Sequence, residues 1–286
     1  MQNKESLAIY VDGKKISASK DDNLLDILNK NGFEIPTLCY HKGVPPYGSC
    51  RLCSVEIKEK EITKIVTSCT YPIRTDGLEV FTNSSEVKEI RKMIIKLLLA
   101  KTPSSEKIKE LAKTYGVERE DRFVTAQGKN TNDNKTNNDN EEKDLCILCG
   151  LCVRTCNDVL NKGAISFVNR GTNRKVSPPF EEPPEECIGC EACSVVCPTG
   201  QARTNIQNDR KYIDPWRAEF EVIKCSNCDD LYFFTKQTIN EVYYKTKTES
   251  ELNLESKNED DKYIKYCPKC KRKLNIKNLK ESKTLI

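Results

Sequence analysis

The chain has 286 residues, and its 37% apolar share includes 16 cysteines, which leaves little hydrocarbon to hold a chain of this length together. The formal charge of +4 counts every cysteine as neutral, so it carries no weight as an argument for a nucleic-acid partner. The most apolar stretch, residues 93–100, contains Lys96 and is far shorter than the roughly twenty residues a bilayer requires.

Residues 1–82 read as short β segments around a small helix. Residues 7–11 lead into Asp12-Gly13, a strong hairpin signal, and then into residues 14–18. Leu24, Leu25, Ile27 and Leu28 fall on one side of a short helix that Asp21 or Asp22 is placed to cap. Residues 54–57 and 62–67 form a second strand pair. Among these elements lie Cys39, Cys50, Cys53 and Cys69, with ten, two and fifteen residues between them. Four thiolates, two per iron, are what a [2Fe–2S] cluster needs. Gly43, Pro45, Pro46 and Gly48 let a loop wrap closely and aim N–H groups at sulfur. A zinc site is the alternative, although zinc usually pairs two CxxC knuckles. A Rieske centre needs two histidines, and His41, the one histidine in the chain, reads as a solvated loop residue.

Residues 83–126 read as helical. Val87, Ile90, Ile94, Leu97 and Leu98 follow helical spacing after a cap at Ser84 or Ser85. Pro103 interrupts, Ser104 or Ser105 restarts the pattern toward Ile108, Leu111, Ala112 and Tyr115, and Gly116 ends it. Residues 127–143 hold almost nothing that could be buried and are expected to be a disordered tether.

Residues 144–212 carry two CxxCxxCxxxC runs: Cys146, Cys149, Cys152, Cys156 and Cys187, Cys190, Cys193, Cys197. A [4Fe–4S] cubane takes four thiolates, of which three closely spaced cysteines supply three, and the fourth comes from the other run. The expected sets are therefore Cys146, Cys149, Cys152 with Cys197, and Cys187, Cys190, Cys193 with Cys156. Residues 213–286 add Cys225, Cys228, Cys267 and Cys270, two CxxC knuckles for a zinc-ribbon-like domain holding one zinc, followed by a lysine-rich tail. A rubredoxin-like single iron is the alternative. Disulfides are disfavoured: the polar opening offers no export signal, and the tight two-residue gaps suit metal, in a reducing cytoplasm. Once thiolates and metals are counted, the formal charge turns slightly negative.

The text YGSCRLCSVEI at residues 47–57 resembles the β-grasp [2Fe–2S] domain of the large iron–sulfur subunit of complex I-type NADH dehydrogenases. The electron-entry ends of iron-only hydrogenases and NAD-linked formate dehydrogenases have the same domain. DLCILCGLCVRTC at 144–156, FVNRG at 167–171 and CPTG at 197–200 are similar to the two-cluster ferredoxin module of those families. The resemblance implies an α+β multidomain chain: a β-grasp domain, a helical segment, a bacterial-type two-cluster module and the C-terminal ribbon. Relatives usually hold a further cluster, bound by one His and three Cys, after the first helix. Here residues 99–117 contain neither residue type, so the helices are expected without that cluster. That leaves the route out of the [2Fe–2S] site either through direct packing or through a partner.

The resemblance further implies an electron-transfer subunit with no catalytic residue of its own, in a hetero-oligomeric cytoplasmic oxidoreductase. Its expected partners are a flavin- and NAD(H)-handling subunit and a catalytic subunit acting on hydrogen, formate or an aldehyde. A self-sufficient reductase would need a nucleotide motif, and neither GxGxxG nor a P-loop occurs. Arg154, Arg170, Arg174 and Lys175 could grip phosphates but read as solvated or subunit-facing. A nucleic-acid-binding regulator led by the ribbon and its basic tail is outweighed by the upstream cysteine runs.

Overall fold

The structure is a computed structural model that describes residues 5–120, 145–233, 267, 269–270 and 273. The expected tether at 127–143 and most of the lysine-rich tail lie outside the described residues.

The N-terminal unit opens with β1 (Ser6–Val11) and β2 (Lys14–Ser19), antiparallel with Ile9 opposite Ile16. Asp12 and Gly13 both take positive φ, 47° and 83°, the tight turn whose twist matches a two-residue hairpin. Asp12 also fixes the far end of the sheet, its carboxylate accepting from the Thr82 N–H at 2.9 Å and the Thr82 hydroxyl at 2.6 Å. Helix α1 (Leu24–Lys30) follows, with β3 (Ser54–Glu59), β4 (Ile62–Thr67) and a short β5 (Leu78–Phe81). The strand order is β2-β1-β5-β3-β4, with β5 parallel to β1 and antiparallel to β3. Residues 78–81 were not expected as a strand, yet β5 is the central one.

The cap of α1 is Asn23, whose side chain accepts from the Asp26 N–H at 3.3 Å, and not Asp21 or Asp22. Those two are engaged elsewhere: Asp22 accepts from the Ser19 N–H and Asp21 pairs with Arg74. Leu24, Leu25 and Leu28 are fully buried against Ile9, Val11, Val55, Ile57, Ile73 and Val80. Full burial of each such side chain contributes about 1.5–3 kcal/mol, so this small sheet-and-helix core is well provided for.

Helices α2 (Ser85–Lys101) and α3 (Glu106–Tyr115) stand where expected. Ser84 caps α2 through the Val87 N–H, and Gly116 closes α3 with a left-handed φ of 60°. The buried stripe of α2, however, is Val87, Arg91, Ile95 and Leu99. Ile90, Ile94 and Leu98 sit on its shoulder, while Leu97 is 49% exposed. The difference turns on Arg91, which is only 1% exposed. Its Nη2 donates to the Ser54 carbonyl at 2.8 Å and its Nε to the Leu52 carbonyl at 3.2 Å, stitching α2 to the chain on both sides of Cys53.

The second unit comprises α4 (Leu151–Arg154) with a π turn at Thr155–Val159, the hairpin β6 (Ser166–Val168) and β7 (Lys175–Ser177), and α5 (Ala192–Val195). It continues as β8 (Arg203–Gln207), β9 (Arg210–Asp214), β10 (Ala218–Lys224) and β11 (Leu231–Phe233), a four-stranded antiparallel sheet. Strand β9 crosses the expected boundary between 212 and 213. Ile213, Trp216 and Ala218 pack with Ile165 and Ala202 against the cysteine runs rather than with the C-terminal segment.

Substituting Arg91→Met keeps the aliphatic stem but leaves the Leu52 and Ser54 carbonyls without their donor. It is expected to lower stability by about 2–4 kcal/mol. Met93→Ala, at a position 46% exposed, is expected to change it by about 0.5 kcal/mol or less. Thermal unfolding of the two variants under argon checks the contrast.

Candidate metal centres

Cys39, Cys50 and Cys53 lie on the long loop between α1 and β3, and Cys69 lies in the short 3-10 turn Ser68–Thr70 after β4. All four are buried, with 1%, 8%, 1% and 1% of their surface exposed. Two backbone features close the loop around them. Gly48 has φ +69°, and a side chain there would meet the Thr70 methyl at 3.3 Å. Arg51, between Cys50 and Cys53, also takes positive φ. The Cys50 N–H points at the Cys39 sulfur at 3.3 Å.

Crowding splits the behaviour of these thiols. Hydrogen bonds from Cys50 and Cys69 hold the Cys39 thiol far below its usual range, and Cys69 holds Cys53 down. Cys50 and Cys69, as the donors, are pushed up. Four sulfurs this close ionise together only when a cation offsets their charge, so the donor set suits a thiolate-bound metal cluster. His41 is exposed, its Nδ1 accepting from the Gly43 N–H, and stands outside this set.

The two later runs interlock. The Leu145 N–H donates to the Gln201 side chain at 2.6 Å, joining the start of the first run to the end of the second. Burial pushes the Cys149 thiol up to about 11, reinforced by the fields of Cys197, Cys146 and Cys39. Burial also raises Cys152, with Cys149, Cys146 and Cys197 as its main charged neighbours. Around the other group, a cavity is lined by Cys156, Cys187, Cys190 and Cys193 together with Ile165, Ile213 and Trp216. Burial raises Cys187, with Cys190 and Cys156 beside it. The fold thus brings Cys197 to the first run and Cys156 to the second. Gly150, at φ +73°, starts α4, and a Cβ there would stand 3.0 Å from the Phe167 ring.

Donors surround both groups. The Leu148 N–H points at the Cys146 sulfur at 3.4 Å, and the Ala202 N–H at the Cys197 sulfur at 3.5 Å. Trp216 is 4% exposed and lies beside Cys193; its indole nitrogen opposes the rise that burial gives that thiol, to about 11. This indole nitrogen is buried and faces the sulfur-rich group, the kind of acceptor that a buried indole donor needs. Lys211, 2% exposed, donates to the Gly189 carbonyl at 3.0 Å and pairs with the Glu191 carboxylate. Its charge pulls against the burial that raises Cys187.

The sulfurs of Cys225, Cys228, Cys267 and Cys270 all lie within 4.8 Å of one another. Cys225 and Cys228 follow β10, on the connection to β11. The Cys267 N–H reaches the Cys225 sulfur at 3.3 Å and the Asn227 amide reaches the Cys270 sulfur at 3.2 Å. Burial would push the Cys225 thiol up, but backbone N–H groups of Cys267, Asn227 and Cys228 outweigh it and hold it down, at about 6. None of the sixteen cysteines is joined in a disulfide.

Of the four basic residues considered for phosphates, Arg170, Arg174 and Lys175 are exposed. Arg154 departs from the expectation: it is 8% exposed and points into the protein. Arg91, Trp216 and Lys211 were not singled out from the sequence at all. Trp216 carried a signal, being the sole tryptophan of the chain, close after the second run. The two cations carried none, because nothing in a sequence marks which of 47 basic residues is buried. Among the described residues no helix is long and apolar enough to cross a membrane.

Comparison with known proteins agrees with this arrangement. Residues 4–85 match the 2Fe-2S iron-sulfur cluster binding domain family, and residues 145–201 match the 4Fe-4S dicluster domain family. The gamma subunit of the NAD-reducing hydrogenase HoxS of Cupriavidus necator is 30% identical over 231 residues, covering 76% of this chain and 94% of that subunit. The NADP-reducing hydrogenase subunit HndD of Solidesulfovibrio fructosivorans is 32% identical over 68% of this chain, and the match spans 35% of HndD. The mitochondrial 78 kDa subunit of NADH-ubiquinone oxidoreductase of Candida albicans is 28% identical over 59% of this chain, the match spanning 24% of that subunit. The chain therefore spans about a third or less of these two longer relatives. Matched along 94% of the HoxS gamma subunit, with both iron–sulfur domains in place, the chain belongs to the family of iron–sulfur subunits of NAD(P)-linked hydrogenases and complex I-type dehydrogenases.

Proposed function

We propose that the chain relays electrons through three iron–sulfur clusters inside a multi-subunit oxidoreductase of the reducing cytoplasm. Cys39, Cys50, Cys53 and Cys69 hold a [2Fe–2S] cluster. Cys146, Cys149, Cys152 and Cys197 hold one [4Fe–4S] cluster, and Cys156, Cys187, Cys190 and Cys193 hold the second. Cys225, Cys228, Cys267 and Cys270 hold a structural zinc; their sulfur separations are compatible with Zn–S bonds of about 2.3 Å. The partners on this reading are a flavin- and NAD(H)-handling subunit and a catalytic oxidoreductase subunit. The names of the relatives, subunits of NAD(P)-reducing hydrogenases and of NADH-ubiquinone oxidoreductase, support it.

The observation that carries the reading is the crosswise grouping of the two runs, which disulfides or separate zinc knuckles would not require. Bound clusters supply one-electron carriers; the chain's own residues set their surroundings. Burial of Cys39, Cys50, Cys53 and Cys69 excludes water from the first site, and N–H groups aimed at the sulfurs favour the reduced state by stabilising added negative charge. Cys39, Cys50, Cys149 and Leu151 share one buried core with Ile95 and Leu99 of α2, so the first two centres are neighbours. Direct packing supplies the route that the missing His-and-Cys cluster left open.

Anaerobic purification is expected to give about ten irons and one zinc per chain, with [2Fe–2S] and [4Fe–4S] signals in the paramagnetic resonance of the reduced protein. About eleven irons and no zinc would move the fourth site to a rubredoxin-like iron. A stable monomer that reduces NAD(P) unaided would sink the subunit reading.

The crosswise ligand sets have their own test in pairs of substitutions. Cys156→Ala with Cys187→Ala removes ligands from one cluster and is expected to lose about four irons; Cys156→Ala with Cys146→Ala is expected to lose about eight. The reverse pattern would place each run on its own cluster.

A further inference from the structure

Arg154 ends α4, two residues after Cys152, and its guanidinium leaves its own unit. Nη2 donates to the carbonyl of Cys39 at 2.9 Å, and Nη1 donates to the carbonyl of Pro45. The guanidinium carbon lies 5.2 Å from the centre of the Tyr47 ring, which covers it from the third side. A second link runs the opposite way, from the Ser49 hydroxyl to the Leu148 carbonyl at 3.4 Å. Cys39, Pro45, Tyr47 and Ser49 all belong to the loop around the first cysteine set; Leu148 and Arg154 belong to the first of the later runs.

We propose that Arg154 is the positioning residue that fixes the electron-transfer distance between the [2Fe–2S] site and the first [4Fe–4S] site. The proposal rests on the cluster assignment above. Three physical features support it. The planar fork spans two carbonyls six residues apart in the loop, a task for which a lysine ammonium has the wrong shape. Arg154 and its bond to the Cys39 carbonyl are buried, so water competes little for that carbonyl, while the bond to Pro45 is part-buried. The charge bridges the loop of one cysteine set and the run that bears the other, two groups that become anionic when loaded. Arg154 touches no sulfur of either set through a hydrogen bond, so it acts on the clusters through the loop it holds.

The test compares the full chain, reconstituted under argon, with Arg154→Lys and Arg154→Gln. The readouts are iron content, the spin relaxation of the reduced [2Fe–2S] signal in the presence of the reduced [4Fe–4S] centre, and the rate of internal electron transfer after flash photoreduction. Both variants are expected to load as wild type does. Both are expected to lose most of the relaxation enhancement and to transfer electrons about tenfold or more slower, as small misplacements of reacting groups do elsewhere. Wild-type relaxation and rate in both variants would overturn the proposal. So would wild-type behaviour in Arg154→Lys alone, since charge without the fork would then suffice. Failure of both variants to take up the [2Fe–2S] cluster would also overturn it, because a positioning residue leaves the ligands competent. A wild-type chain lacking either signal would overturn the cluster assignment itself, and this proposal with it.

Discussion

Sixteen thiols gathered into four crowded groups repel one another as soon as they ionise, and that repulsion governs the design of the molecule. In the first group two thiols are held down only because two others are held up as donors. In the later runs burial raises Cys149, Cys152, Cys187 and Cys193 alike. A bound cation would resolve the conflict and tie distant parts of the chain together, which suits a sequence with so little hydrocarbon. Around the groups the fold aims N–H donors at sulfurs of Cys39, Cys146, Cys197 and Cys225, so the same features that settle the charge also shape the potential.

The cysteine runs are legible in the sequence because their spacing is chemistry written locally, and local patterning likewise disclosed β1 to β4 and α1 to α3, but none of the strands and helices after residue 144. What escaped it depended on distant parts of the chain. Strand β5 has only the four residues Leu78–Phe81, too few for periodicity to speak, and it is a strand because β1 and β3 flank it. The α1 cap fell to Asn23 because Asp21 and Asp22 were drawn into contacts with Arg74 and Ser19. The buried face of α2 shifted by one position because Arg91 takes a core site through carbonyls that only the fold brings near. Strand β9 ran past the expected domain boundary because Ile213 and Trp216 find their packing partners beside the cysteine runs.

Among the described residues, the three buried cations have a common pattern. Arg91, Arg154 and Lys211 each donate to a main-chain carbonyl next to or within a cysteine-bearing loop: Leu52 and Ser54, Cys39 and Pro45, and Gly189. A positive charge is costly to bury alone. Beside groups that carry negative charge when loaded with metal, it is compensated, and the loop gains a rigid support in the same contact. Hydrophobic patterning treats such residues as surface, which is why Arg154 was expected on the outside.

Strand β10 begins at Ala218, packed beside the second of the later cysteine groups, and ends at Lys224, next to the knuckle at Cys225. It belongs to one continuous sheet with β9 on one side and β11 on the other. The four-sulfur knot is thus mounted on a stiff beam rather than on a swivel. Anything that turns the knot therefore turns, through β10, the sheet against which the later cysteine runs pack.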